Sequence, residues 1–187
     1  MPNVVEDIGG DRAVETGTIA TYSGRTVTPL NPDPADIDIE DIAHALSNSC
    51  RFTGHVAKFY SVAQHSYLCS TIVEDEYALT ALLHDASEAY LSDISRPIKS
   101  QPEFGDVYKK YEARLEAAIS ERFGLVYPYP ESIKRADTIL LRSEQRDLMP
   151  NVLRHEGEDY LEDTIEPWNP ELAELKFLGR YYSLIGG

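Results

Sequence analysis

Cysteine is scarce: Cys50 and Cys69 are the only two in 187 residues, and neither belongs to a CxxC pair. Two isolated thiols make no disulfide framework, and a reducing cytoplasm is the expected compartment. Basic residues are few as well, 17 against 32 acidic ones, which leaves a formal net charge of −15. A surface that negative repels a polyanion and argues against coating DNA or RNA. It still admits a single nucleotide held by a metal and a few arginines. No apolar run approaches the ~20 residues of a membrane span. Met1–Gly10 carries two acids and no apolar centre, so it does not read as a signal peptide. Neither a GxGxxG nor a GxxxxGKS/T string occurs, and there is no repeat and no βαβ alternation. Dinucleotide-binding and P-loop architectures therefore find no support. What is present, 42% hydrophobic and 26% charged residues, is ordinary for one globular domain.

Residues 1–17 read as a flexible arm and 18–187 as a single domain. Thr18–Leu30 alternates weakly around a turn signal at Ser23-Gly24 and predicts a short β-hairpin. Asn31-Pro-Asp-Pro stops the chain, and Ile37, Ile39, Ile42, Ala45 and Leu46 predict a helix up to Ser49. After a connecting loop, Arg51–Phe59, helical spacing resumes over Val62–Val73. Asp75 reads as the N-cap of a helix over Tyr77–Leu91, apolar almost all round, as a buried central helix is. Ser92–Pro102 reads as a loop, Asp106–Phe123 as an amphipathic helix stopped by Gly124, and Glu131–Met149 as another helix. Residues 150–170, with three prolines and six acids, read as a solvated acidic loop or insertion before a last helix, Glu171–Leu184. The expected fold is all-α: a bundle of five to six helices behind a short N-terminal β-hairpin.

The chemistry concentrates at His65, His84-Asp85, Glu88, Asp93 and Asp137. Four of these polar groups fall within ten residues of an otherwise apolar segment, where an unpaired carboxylate is costly. Glu88 follows His84 by four residues and projects from the same face of a helix. His65 and Asp137 sit on two further apolar helices. A single buried histidine is ordinarily a hydrogen-bonded core residue, and a buried aspartate near a helix end is often a cap. Their combination suggests three helices converging on one cation. Two imidazoles and two carboxylates suit a divalent transition metal (Mn, Co, Fe, Ni or Zn) better than Ca. Such a metal would lower the pKa of a bound water and polarise a phosphoryl oxygen, with Glu88 as general base or water-orienting group.

The order His65, His84-Asp85, Asp137 resembles the HD superfamily of metal-dependent phosphohydrolases. His84-Asp-Ala-Ser-Glu-Ala-Tyr-Leu-Ser-Asp-Ile-Ser-Arg-Pro-Ile-Lys99 and Lys134-Arg-Ala-Asp137 resemble segments of the bacterial 5′-deoxynucleotidases in that superfamily. Asp41-Ile-Ala-His-Ala-Leu-Ser-Asn-Ser-Cys-Arg-Phe-Thr-Gly-His55 with Phe59-Tyr-Ser-Val-Ala-Gln-His-Ser66 is closer still to small bacterial, prophage and phage HD-domain proteins. The resemblance spans roughly residues 18–150. It implies an all-α HD-domain bundle with His65, His84, Asp85 and Asp137 as metal ligands and Glu88 as the catalytic acid group. Asp93 takes the second acidic role, near phosphate and sugar. Arg51 grips phosphate with Phe52 beside the sugar, where the nucleotidases have tryptophan. Arg96 stands where they carry a small hydroxyl residue, which points to a longer phosphate chain. The implied substrate is a deoxynucleotide: a monophosphate for a 5′-deoxynucleotidase, or a triphosphate, with Mg, for a pool-depleting triphosphohydrolase. The rival class is a non-catalytic nucleotide-binding regulator. The resemblance also implies a homo-oligomer, while the net charge and the lack of a long apolar run lead to no nucleic acid polymer and no membrane as expected partners.

Other residues carry less. His55 reads as structural or as support behind the ligands, and His44 as packing or surface. His155, in the acidic stretch, is given no role. Lys58, Lys99 and Arg135 neighbour the candidate site and read as solvated surface. Tyr90 reads as core.

Overall fold

A computed structural model describes residues 17–149, 151 and 159–186 of the chain. The arm, apart from Gly17, and His155 lie outside the described residues, as do 150 and 152–158 of the acidic stretch. Strands β1 (Ile19–Ala20) and β2 (Thr26–Val27) pair antiparallel, Ile19 opposite Val27, with the turn falling at Ser23-Gly24. Eight α-helices follow among the described residues: α1 (Ile39–Asn48), α2 (Val62–Thr71), α3 (Ala78–Leu82), α4 (Glu88–Leu91), α5 (Arg96–Lys99), α6 (Pro102–Phe123), α7 (Glu131–Leu148) and α8 (Pro170–Ile185). The architecture is all-α apart from the hairpin. The excess over five or six helices comes from α3, α4 and α5, each five residues or shorter.

Local chemistry sets the boundaries. Asp38, Ser61 and Asn169 cap α1, α2 and α8 by accepting from backbone N–H groups of Glu40, Gln64 and Leu172. Pro102 and Pro170 open α6 and α8, where the missing N–H costs nothing. Gly124, at φ 66°, closes α6 in the left-handed conformation. The buried Asp41 of α1 accepts from the backbone N–H and the hydroxyl of Ser23, at 2.6 and 2.8 Å, and so ties the hairpin turn to the bundle.

Three segments differ from the sequence expectation. The helix expected over Tyr77–Leu91 is broken: α3 ends at Leu82, and tight i→i+3 hydrogen bonds, Ala86 to Leu83 and Glu88 to Asp85, carry the chain to α4. Neighbours on a regular helix do not face each other. The break brings His84 Nε2 and Asp85 Oδ1 to 3.3 Å. The loop expected over Ser92–Pro102 contains α5, and α6 begins four residues before Asp106. Gly105 explains the close seating of α5 on α6, because a Cβ there would stand 1.9 Å from the Lys99 carbonyl oxygen. The described end of the acidic stretch keeps Asp159, Glu162, Asp163 and Glu166 exposed, as expected of a solvated segment, but its backbone is anchored to the bundle. Gln64 donates to the Glu166 carbonyl and accepts from the Trp168 N–H, Asp147 accepts from the Ile165 N–H, and Ile165 is buried.

The apolar interior forms two clusters. The larger gathers Ile42, Leu46, Val62, Leu82, Leu83, Leu115, Ile119 and Phe177, with Tyr90 at its margin. The smaller gathers Tyr60, Cys69, Ala81, Ile133, Ala136, Leu140 and Leu148 around α2 and α7. Helix α7 packs mainly on α2. His65 on α2 meets Asp137 on α7 across this contact. No described helix is long and apolar enough to cross a membrane.

Candidate metal centre and its cleft

His65 projects from α2 and is fully buried. Its Nδ1 lies 2.6 Å from Glu144 Oε1, while Nε2 faces Asp137 Oδ1 at 3.2 Å and Asp85 Oδ2 at 3.5 Å. His84, on the turn after α3, places Nδ1 2.8 Å from the Ala81 carbonyl oxygen. That oxygen can only accept, so Nδ1 carries the proton and Nε2 the lone pair. The two rings are 5.3 Å apart. Ligand atoms of His65, His84 and Asp137 all lie within 4.8 Å of one another, and Asp85 stands between the imidazoles.

Both Nε2 atoms are buried and make no hydrogen bond. Buried ring nitrogens that face carboxylates without a well-formed hydrogen bond are completed by a proton or by a metal cation. The donor set of two imidazole nitrogens and two carboxylates fits a divalent transition metal. Each imidazole is oriented through its other nitrogen, as metal-binding histidines ordinarily are. Burial and Arg51 oppose a charge on His65. Glu144 and Asp137 outweigh them and raise its pKa to about 9. Burial also opposes charge on Asp137, but His65, His84 and Arg51 hold its carboxyl well below the usual carboxylate range.

A cleft of about 890 Å³ opens over this floor, within the size range of small-molecule sites. Its walls carry Arg51, Phe52, Asp85, Glu88, Asp93, Arg96 and Asp137, together with His55 and Lys99. Glu88, on α4, is buried with Oε2 unpaired. Burial, then Asp85 and Asp93, push its pKa well up, against the Lys99 ammonium 3.7 Å away. Burial and Asp85 also raise Asp93. Arg51 spends two of its nitrogens on Glu144 Oε2, Nε at 3.1 Å and Nη2 at 3.0 Å, and keeps Nη1 3.6 Å from Asp85. Its neighbours Phe52 and Thr53 hold left-handed backbone, φ 55° and 53°, a strained conformation for side chains of their size.

The residues singled out as ligands or substrate contacts thus gather in one place, the two histidines buried beneath the cleft and the others on its walls. Two reassignments follow. Lys99 is not solvated surface: it pairs with Glu112 at 2.8 Å and lies 4.9 Å over the Tyr108 ring at the cleft wall. Glu144, unremarked in the sequence, is fully buried at the centre of the network, and Tyr60 donates to it at 2.9 Å. Its spacing was the available signal, seven residues after Asp137 and two turns along the same face of α7. Of the remainder, Tyr90 is core, Lys58 and Arg135 are exposed, and His44 stacks on Tyr22 with Glu174 at 3.1 Å.

The fold and site define a helical protein with a candidate metal-binding cleft. The sequence is 47% identical over 131 residues to uncharacterized protein YfdR of Escherichia coli K12, covering 70% of this chain and 71% of that one. It is 40% identical over 139 residues to uncharacterized protein RCAP_rcc00048 of Rhodobacter capsulatus, covering 67% of this chain and 70% of that one. The chain belongs to the family of these two proteins. A shorter stretch of 93 residues is 29% identical to 5′-deoxynucleotidase VP0926 of Vibrio parahaemolyticus, covering 49% of this chain and 41% of the relative. No protein-family model matches the chain.

Proposed function

We propose that this protein is an HD-type, metal-dependent phosphohydrolase that converts a deoxynucleoside 5′-monophosphate to the nucleoside and inorganic phosphate. The observation that carries the reading is the pair of bare, buried Nε2 atoms of His65 and His84, facing two carboxylates beneath a cleft with arginine on its wall. The likeness to a 5′-deoxynucleotidase supports it. His65, His84, Asp85 and Asp137 would hold the divalent cation. A cation held there polarises a phosphoryl oxygen and acidifies water.

The chain's own groups do the rest. The Nη1 edge of Arg51 is the part of the guanidinium not engaged by Glu144, and it binds a phosphoryl oxygen. Glu88, whose carboxyl is held toward its neutral form, moves the proton between water and the departing 5′ oxygen. The P–O5′ bond breaks, a P–O bond to water forms, and one water proton ends on the nucleoside hydroxyl. Phe52 and Asp93 face the sugar.

A second reading, triphosphohydrolase action on a dNTP, is favoured by a second arginine, Arg96, on the cleft wall. Product analysis tests both. The protein is incubated with four dNMPs and four dNTPs, with Mn, Co or Mg in turn. Nucleoside and phosphate from monophosphates support the first reading. Nucleoside and intact triphosphate support the second. Nucleotide bound and returned unchanged in every case overturns both in favour of a binding protein.

A further inference from the structure

We infer that Glu144 is a positioning residue whose single carboxylate fixes both the metal-facing imidazole of His65 and the substrate-facing guanidinium of Arg51. The inference rests on the reading of His65 as a cation ligand and of Arg51 as a phosphate contact.

The carboxylate is fully buried on α7 and is divided cleanly between two tasks. Oε1 takes His65 Nδ1 at 2.6 Å and the Tyr60 hydroxyl at 2.9 Å. Oε2 takes Arg51 Nε at 3.1 Å and Nη2 at 3.0 Å. A carboxylate offers about four lone-pair sites. All are used here, so Glu144 has none left for a cation or a substrate and acts through its neighbours. The donors around it, two nitrogens of Arg51, His65 Nδ1 and the Tyr60 hydroxyl, call for a carboxylate that only accepts. An ionised carboxylate accepts only, so His65 must present a proton at Nδ1. In the neutral ring the lone pair then falls on Nε2, the atom that faces Asp85 and Asp137. The same carboxylate clamps two nitrogens of Arg51 and leaves Nη1 turned to the cation side.

An amide cannot do both. If the NH2 of a glutamine faced Arg51, donor would meet donor. If it faced His65, it would donate to Nδ1 and drive the ring proton to Nε2. A carboxylate that served only as a buried counter-charge would not fix the tautomer, so the tautomer separates positioning from plain packing.

The test uses the full-length protein titrated with Mn²⁺ alone, with thermal melts as a folding control. Glu144→Gln is expected to bind Mn²⁺ about 10- to 100-fold more weakly. Tyr60→Phe removes a partner of the same oxygen without touching the imidazole, and is expected to stay within about threefold. A folded Glu144→Gln protein that binds Mn²⁺ like the unaltered one overturns the inference, as does an equal loss in Tyr60→Phe. If Glu144→Gln does not fold, long-range ¹⁵N–¹H NMR of the unaltered protein, taken at a pH where the ring's own nitrogen shifts show His65 neutral, decides. A proton on Nδ1 supports the inference, and one on Nε2 overturns it. Should the unaltered protein bind no Mn²⁺, the proposed function fails, and the same spectrum still settles the role of Glu144.

Discussion

Glu88 keeps Oε2 buried without a hydrogen bond, while Lys99 reaches only to 3.7 Å of its other oxygen. Such a group costs stability and is retained where it moves a proton. Glu88→Gln should bind Mn²⁺ within about threefold of the unaltered protein and lose about 10²–10⁴ in kcat. Parallel metal titration and steady-state kinetics check this, and an active Glu88→Gln enzyme refutes the assignment. Glu116 gives a prediction away from the chemistry. Burial first, then Glu112 and Asp85, raise its pKa from 4.5 to about 7. The folded state therefore holds a proton that the unfolded chain has released, and the resulting stability is present below 4.5 and lost as pH rises through 7. Glu116→Gln should raise Tm by roughly 2–4 °C at about pH 8 and change little near pH 4.5. Thermal melts across that range show whether it does. Legibility at this scale follows contrast. His65, His84 and Asp85 stand out because each is polar in an apolar run. Glu144 lies inside Arg142–Asp147, a wholly polar stretch, and only its register on α7 marks it as buried.

At the scale of elements, spacing predicted the long helices well because capping and periodicity are local. α1, α2, α7 and α8 begin and end within three residues of the expected bounds. It failed where tertiary contacts decide. The break after Leu82 follows from the convergence of His84 and Asp85, and no pattern in a nearly all-apolar run announces it. α5 is fixed by its seat on α6 at Gly105, with Lys99 tied to Glu112 at 2.8 Å. Gly105→Ala would force the Lys99 backbone away and carry the cleft-wall residues Arg96 and Lys99 with it. The expected result is a Tm lower by several degrees, with KM raised more than kcat is lowered, read from melts and kinetics on the same sample.

For the whole molecule, the division into two apolar clusters sets what a cation would do beyond chemistry. α7 leans on α2, and across their seam run Asp137 to His65 and Glu144 to His65, Tyr60 and Arg51. A ligand that binds only the folded state adds about 2.7 kcal/mol when present at 100 times its Kd. Mn²⁺ at that excess should therefore raise Tm by about 5–10 °C. Amide exchange in α7 should slow more than in α1 or α8, because the proposed ligands would join α7 to α2 and to the turn after α3. Uniform slowing, or none, would show that the seam is not held by the ion.

On the proposed reading, that seam would make supply of the cation a question of survival as well as of rate. A copy without its ion would open first along α7, by sub-global unfolding, and present the smaller apolar cluster to proteases. The population that persists would then be enriched in loaded copies, with the α2–α7 contact sorting them.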